Sequence, residues 1–187
     1  MQFGDSVLPM IMRILGLLVV GIATVSMNAM GVDAPCRHSV PQELLTAAES
    51  AQSSWRLVEL ADLSGDDRKT WASLKHGRCP GVARADFDRS GRPQYALLLN
   101  SSSERRSRLL YAVRTADGKF EIRVLYEGST SNSPVVFAGK QGRYSSAQDR
   151  ESIITLKSSP VILAVLESGA TAFYFVGAEV RQLVISE

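Results

Sequence analysis

Histidine is scarce in this chain. Only His38 and His76 occur in 187 residues. Imidazole-centred catalysis needs a nucleophile, a base and an orienting group that converge, so two histidines leave little to build with. Neither a Gly-x-Ser-x-Gly elbow nor a His-Glu-x-x-His pair occurs. An excess of one charge is also missing. Twenty-one Lys and Arg face nineteen Asp and Glu, a net charge of +2. That balance gives no electrostatic footprint for nucleic acid or for an anionic membrane surface. The one basic cluster, Arg105, Arg106 and Arg108, reads as a solvated turn beside a strand, with a patch for an acidic partner as the alternative.

Long apolar runs are absent after the first thirty residues. Before that point, Arg13 precedes the apolar stretch Ile14–Ala23, which is broken by Gly16 and Gly21. A charge, a short apolar run and then small residues are the layout of a secretory signal peptide. A membrane-spanning helix needs ~20 mostly apolar residues, which this stretch barely approaches. Residues 1–31 are therefore expected to be a cleaved leader, with Ala29-Met30-Gly31 before the cut. Membrane contact is expected only through this segment, if it stays uncleaved. Residues 32–187 are expected to form a single exported domain, long enough to bury a core.

Cysteine is as rare as histidine. In an oxidising compartment the pair Cys36 and Cys79 favours a disulfide. Closing that loop would stabilise the fold by about 4 kcal/mol through chain entropy. A competing reading sets Cys36-x-His38 with His76-x-x-Cys79 around zinc, although the Cys-x-His spacing is tight for such a site. A thiol nucleophile helped by His76 would need the thiolate that a disulfide removes.

What is present is helix-forming at the start and β-forming afterwards. Pro41 suits a first helical position before Gln42–Glu49. Trp55–Leu60 alternates like a short strand. Ser64 is a helix cap followed by Asp66 and Asp67, and that helix should run through Trp71 and Leu74 to stop near Gly77. Trp55 and Trp71 are expected to anchor the core. Strands are expected over Tyr95–Leu99, Leu109–Arg114, Phe120–Tyr126, Val135–Ala138, Ile153–Leu156, Val161–Leu166, Thr171–Val176 and Val180–Ile185. Asp117-Gly118 marks a hairpin. Residues 139–150 read as a polar loop. The expected fold is α+β: N-terminal helices packed on a mostly antiparallel, curved β-meander of about seven or eight strands.

One segment carries chemical character. In Asp86-x-Asp88-x-Ser90-Gly91, oxygen-bearing side chains alternate and a glycine permits a sharp turn. Calcium takes about six to eight oxygen ligands, and alternating loop carboxylates can converge on it. The segment resembles the calcium loop of FG-GAP (VCBS-type) repeats, in a single, degenerate copy. The resemblance implies Asp86, Asp88 and Ser90 as ligands and calcium as the one cofactor to consider. Ser90 stands where that family has an acid or amide, and Gln94 where it has a later acid. Arg84, Arg89 and Arg92 add opposing charge. The alternative is a tight turn in which both acids accept backbone N–H bonds. As a whole, the chain resembles small exported bacterial proteins of unknown function.

The expected function is a non-enzymatic, periplasmic or secreted binding module that recognises a protein or glycan partner in the cell envelope. A curved sheet with long loops offers such a surface. Glu167-Ser168-Gly169-Ala170-Thr171 resembles the Ser-Gly-Ala loop of periplasmic lysozyme inhibitors. That implies a second reading, an inhibitor of a cell-wall hydrolase with Ser168 and Gly169 at a hairpin tip. A third reading is an envelope hydrolase using a carboxylate pair, Asp66 with Asp67 or Asp86 with Asp88. Neighbouring acids in a turn or at a helix start more often serve as caps.

Overall fold

The computed structural model describes residues 35–50, 54–74, 76–77, 79–101, 103–129, 133–149 and 151–185. The expected leader, residues 1–31, lies outside the described residues. Helices α1 (Pro35–His38) and α2 (Gln42–Ser50) come first. Strand β1 (Trp55–Leu57) and a 3-10 turn (Leu60–Asp62) then lead to α3 (Gly65–Ser73). The rest is β: β2 (Val82–Ala85), β3 (Gln94–Ser101), β4 (Arg106–Arg114), β5 (Phe120–Ser129), β6 (Pro134–Ala138) and β7 (Gly142–Ser145). Strands β8 (Ile153–Leu156), β9 (Val161–Val165), β10 (Gly169–Val176) and β11 (Glu179–Ile185) complete it.

Helices with a mostly antiparallel β region are present, as expected of an α+β fold. The single meander is not. The strands divide into two sheets and a separate hairpin, β7–β8. In the first sheet β3, β4 and β5 lie in sequence order, and both β1 and β2 pair with the other edge of β3. The second sheet runs β11-β10-β9-β6, all antiparallel. Eleven strands appear among the described residues, more than the seven or eight expected. The extra ones are short. Val82–Ala85 hides its alternation behind Arg84, and Gly142–Ser145 is a polar hairpin arm within the expected loop.

The central strand β3 explains the layering. It reads Leu97-Leu98-Leu99 because both its faces are buried, and alternate side chains go opposite ways. Leu97 and Leu99 join Leu110 and Ala112 of β4 under Leu44, Leu45 and Ala48 of α2. Ala96 and Leu98 face the second sheet, where Val136, Val161, Leu163 and Phe173 meet them. On that sheet's far side, Val135, Ile162, Ala164 and Ala172 gather around Leu63 and Trp71. The layers are therefore α1/α2, first sheet, second sheet, and α3. Burying a leucine side chain favours folding by about 1.5–3 kcal/mol, so this interior dominates the fold's stability.

The disulfide Cys36–Cys79 is formed and ties α1 to the segment before β2. Glu59 caps α1, accepting the Cys36 and Arg37 N–H groups at 3.0 Å each. Beside them the backbones approach closely. Val58 N–H donates to Leu98 O at 2.9 Å, and Leu98 N–H to Gly81 O at 2.9 Å. A Cβ on Gly81 would sit 2.1 Å from Val58 O, so only glycine fits there. Pro80 O also accepts from Val136 N–H at 2.8 Å, stitching the two sheets along this flank.

The basic cluster is not a solvated turn throughout. Arg106 and Arg108 lie within β4 and share Glu127, at 2.6 and 2.7 Å. Arg108 also stacks 4.3 Å over the ring of Trp55. Trp55 and Trp71 are both buried.

Candidate functional site

The acidic loop joins β2 to β3 and is organised by one buried amide. Gln94 Oε1 accepts the Phe87 N–H at 2.6 Å, which fixes the amide's orientation. Its Nε2 then donates to Asp88 Oδ1 at 2.6 Å and to Ser90 Oγ at 2.8 Å. Ser90 N–H donates to Asp88, Gly91 N–H to Asp86, and the Tyr111 hydroxyl to Asp88. The turn itself uses positive φ at Arg89 (63°) and Gly91 (77°). Burial opposes ionisation of Asp88, but the hydrogen bonds from Ser90, Tyr111 and Gln94 outweigh it and hold its carboxyl below the usual value. Burial and the neighbouring Asp88 push the Tyr111 hydroxyl well up.

The loop thus gathers Asp86, Asp88 and Ser90, as its pattern predicts, around donors. An amide NH2 points at the oxygens a cation would need. Asp86 Oδ1 is the one loop oxygen buried without a hydrogen-bond partner among the described residues. Calcium on these three residues requires the Gln94 amide to turn away. As the side chains stand, the donor set fits a self-satisfied turn and not calcium.

The other sequence candidates are placed apart from one another. Asp66 and Asp67 sit on the first turn of α3 and face solvent. Asp67 N–H donates to Ser64 Oγ at 3.1 Å, the Ser64 hydroxyl donates to Asp67 at 2.8 Å, and Lys69 pairs with Asp66 at 3.0 Å. These are cap contacts, suited to the positive helix end. The cysteine sulfurs are bonded to each other. His38 ends α1 in solvent, while His76 stacks on Phe137 with ring centroids 3.8 Å apart. No group of three or more His, Cys, Asp or Glu suited to a metal occurs among the described residues.

A cleft is the feature that pattern reading missed. The two sheets are stitched along the β2–β6 flank and part along the other, where β5 and β11 are the edge strands and, among the described residues, only the end of β11 is bridged, by Ser146 and Ala147. Between them lies a cavity of about 470 Å³, lined by Tyr126, Leu163, Thr171, Phe173, Gln182 and Val184. A recess of about 190 Å³ shares Phe173 and Gln182 and adds Val124 and Val180. Val124, Val180 and Val184 are exposed. Charged pairs mark both strands: Arg123 with Glu121 on β5, and Arg181 with Glu179 on β11. In the sequence the only hint is Val180 and Val184, four apart on one face of the β11 segment, which reads equally well as core.

One part of the cleft was legible. Ser168, Gly169, Ala170 and Thr171 line its end, at the β9–β10 hairpin. Glu167 takes a positive φ of 63° there and accepts a hydrogen bond from Thr70 at 3.1 Å. That bond ties the hairpin tip to α3.

Comparison with family models, curated proteins and solved structures finds no match to this chain.

Proposed function

We propose that this chain is an exported, non-enzymatic binding module that takes an extended segment of a partner protein into the cleft between β5 and β11. The observation that carries this reading is the open flank itself. Strand β5 is ten residues long and, among the described residues, pairs only with β4, which leaves N–H and C=O groups of its other edge without a described partner beside an apolar cavity. An added strand would satisfy those groups, and its alternate side chains would enter the cleft. The charged pairs on both strands suit a peptide of mixed charge. The disulfide and the leader-like first residues favour the periplasm or the exterior.

The test is selection of peptides from a displayed random library, followed by hydrogen exchange. Bound peptides should slow exchange of the β5 amides and lose at least about tenfold in affinity on Val184→Glu, as burying an unpaired charge would require. Failure to select any binder, or binders that leave β5 exchange unchanged, would overturn the reading.

The placement of Ser168 and Gly169 at the cleft's end favours one particular partner, a cell-wall hydrolase that the hairpin tip would inhibit. Lysozyme activity measured with wild-type protein and with Ser168→Tyr tests it. Equal activity with and without the wild-type protein removes this second reading.

A further inference from the structure

A second depression lies on the other face of the first sheet, where the helical layer ends. Beyond the first turn of α2, the side chains of Tyr95 and Phe120 lose their cover and form the floor of a cavity of about 540 Å³. Their rings meet edge to face at 6.1 Å. Two guanidinium groups lie over this floor: Arg84 is 5.6 Å from the Tyr95 ring centre, and Arg114 is 4.8 Å from that of Phe120. Arg92 and the rings of Pro41 and Pro93 add to the walls.

The charge here is concentrated. Three arginines line the cavity and no acid does, in a chain whose net charge is only +2. Glu43 on α2 pairs with Arg114 from beside it. Arg84 and Arg92 have no ion-pair partner among the described residues. A guanidinium near a ring face is attracted to it and can still turn N–H groups toward an oxyanion in a forked geometry. Arginine favours carboxylate through two parallel hydrogen bonds. The half-buried rings of Tyr95 and Phe120 and the two proline rings give the groove apolar surface that suits the C–H faces of sugars. Prolines carry no N–H, so these walls offer little to pair with an extended peptide as a strand edge would.

We infer that this groove binds an acidic glycan, a short chain of carboxylate-bearing sugars whose acid groups meet Arg84, Arg92 and Arg114 above Tyr95 and Phe120. Its size fits about two or three sugar rings, within the usual range of ligand cavities. Glu43 would compete with the ligand for Arg114 and so hold affinity down. The site is separate from the cleft, so either can fail without the other.

Calorimetric titration at low ionic strength tests it, with tetragalacturonate as the acidic glycan, maltotetraose as the neutral one and tetraglutamate as an acidic peptide. Wild-type protein should bind tetragalacturonate at least about tenfold more tightly than maltotetraose. Arg84→Gln with Arg92→Gln should lose at least about tenfold, as expected from two charge-assisted contacts. Both residues are exposed, so the unfolding midpoint should stay unchanged, and Arg92→Gln alone should lose part of the binding. Glu43→Gln should tighten binding, which a purely structural ion pair would not do. No binding of tetragalacturonate at millimolar concentration, or equal binding by the double variant, would overturn the site. Equal or tighter binding of tetraglutamate would overturn its assignment to a glycan.

Discussion

The two flanks of the sandwich differ in what their backbones do. On the β2–β6 flank, Val58, Pro80, Gly81, Leu98 and Val136 exchange main-chain hydrogen bonds, and Gly81 lets the backbones touch. The disulfide and the Glu59 cap lie on the same side. On the β5–β11 flank, among the described residues, the β5 edge stays open and the β11 edge is bridged only at its end, where Ala147 N–H donates to Val184 O at 2.9 Å, and exposed valines border the cleft. Covalent and backbone links hold one side rigid, so the other can leave polar edges and apolar surface available to a partner.

The largest effect should come from the closed flank. Gly81→Ala places a methyl against backbone that cannot move aside and should destabilise by about 3 kcal/mol or more, read by urea unfolding. Reducing the Cys36–Cys79 bond should cost about 2–4 kcal/mol, read from the unfolding midpoint with and without reductant. Gln94→Ala should cost about 1–3 kcal/mol, because the buried Phe87 N–H loses its acceptor. Calcium against a chelator should leave the wild-type midpoint unmoved, while Gln94→Glu, which turns the amide into an acid, should make it respond.

Two smaller effects separate the flanks further. Burial raises the Glu59 carboxyl above its ordinary 4.5, against the opposing hydrogen bonds from Cys36 and Arg37. The fold therefore favours its protonated form. That contribution is fully present below 4.5 and fades as pH rises through the folded-state value. Glu59→Gln should remove this part of the pH dependence in urea midpoints compared between acidic and neutral pH. Last, Val184→Ser on the open flank should change stability by less than about 0.5 kcal/mol, since the residue is exposed. A large loss there would show that the cleft is structural.

Local chemistry was the legible part of the fold. Ser64 starts α3 as its cap pattern predicts, and the Asp117-Gly118 turn joins β4 to β5, with Gly118 at φ 85°. The β9–β10–β11 meander follows its turn signals. Expectation failed where pairing was non-local. The strand expected through Leu60 stops at Leu57 and passes into a 3-10 turn, because Val58 and Glu59 are recruited by Leu98 and by α1. Short β2 is a strand because β3 lies beside it, which no local pattern reveals. The loop's gathering of Asp86, Asp88 and Ser90 was readable from spacing. That Gln94 fills its centre was not, since the spacing of the loop oxygens does not say which way the amide turns, and that is set by the Phe87 N–H it accepts.

The sequence by itself determined the elements whose causes lie within a few residues: caps, turns and alternation. It also determined that two cysteines were available to pair. Tertiary structure alone decided that the strands split into two sheets, that one flank closes while the other opens, and that three arginines from separate segments share one groove. The physical reason is range. Propensity and turn chemistry act over a turn or two of chain. Sheet edges, clefts and charge clusters instead arise from which distant segments lie side by side, and that is set by how the whole core packs.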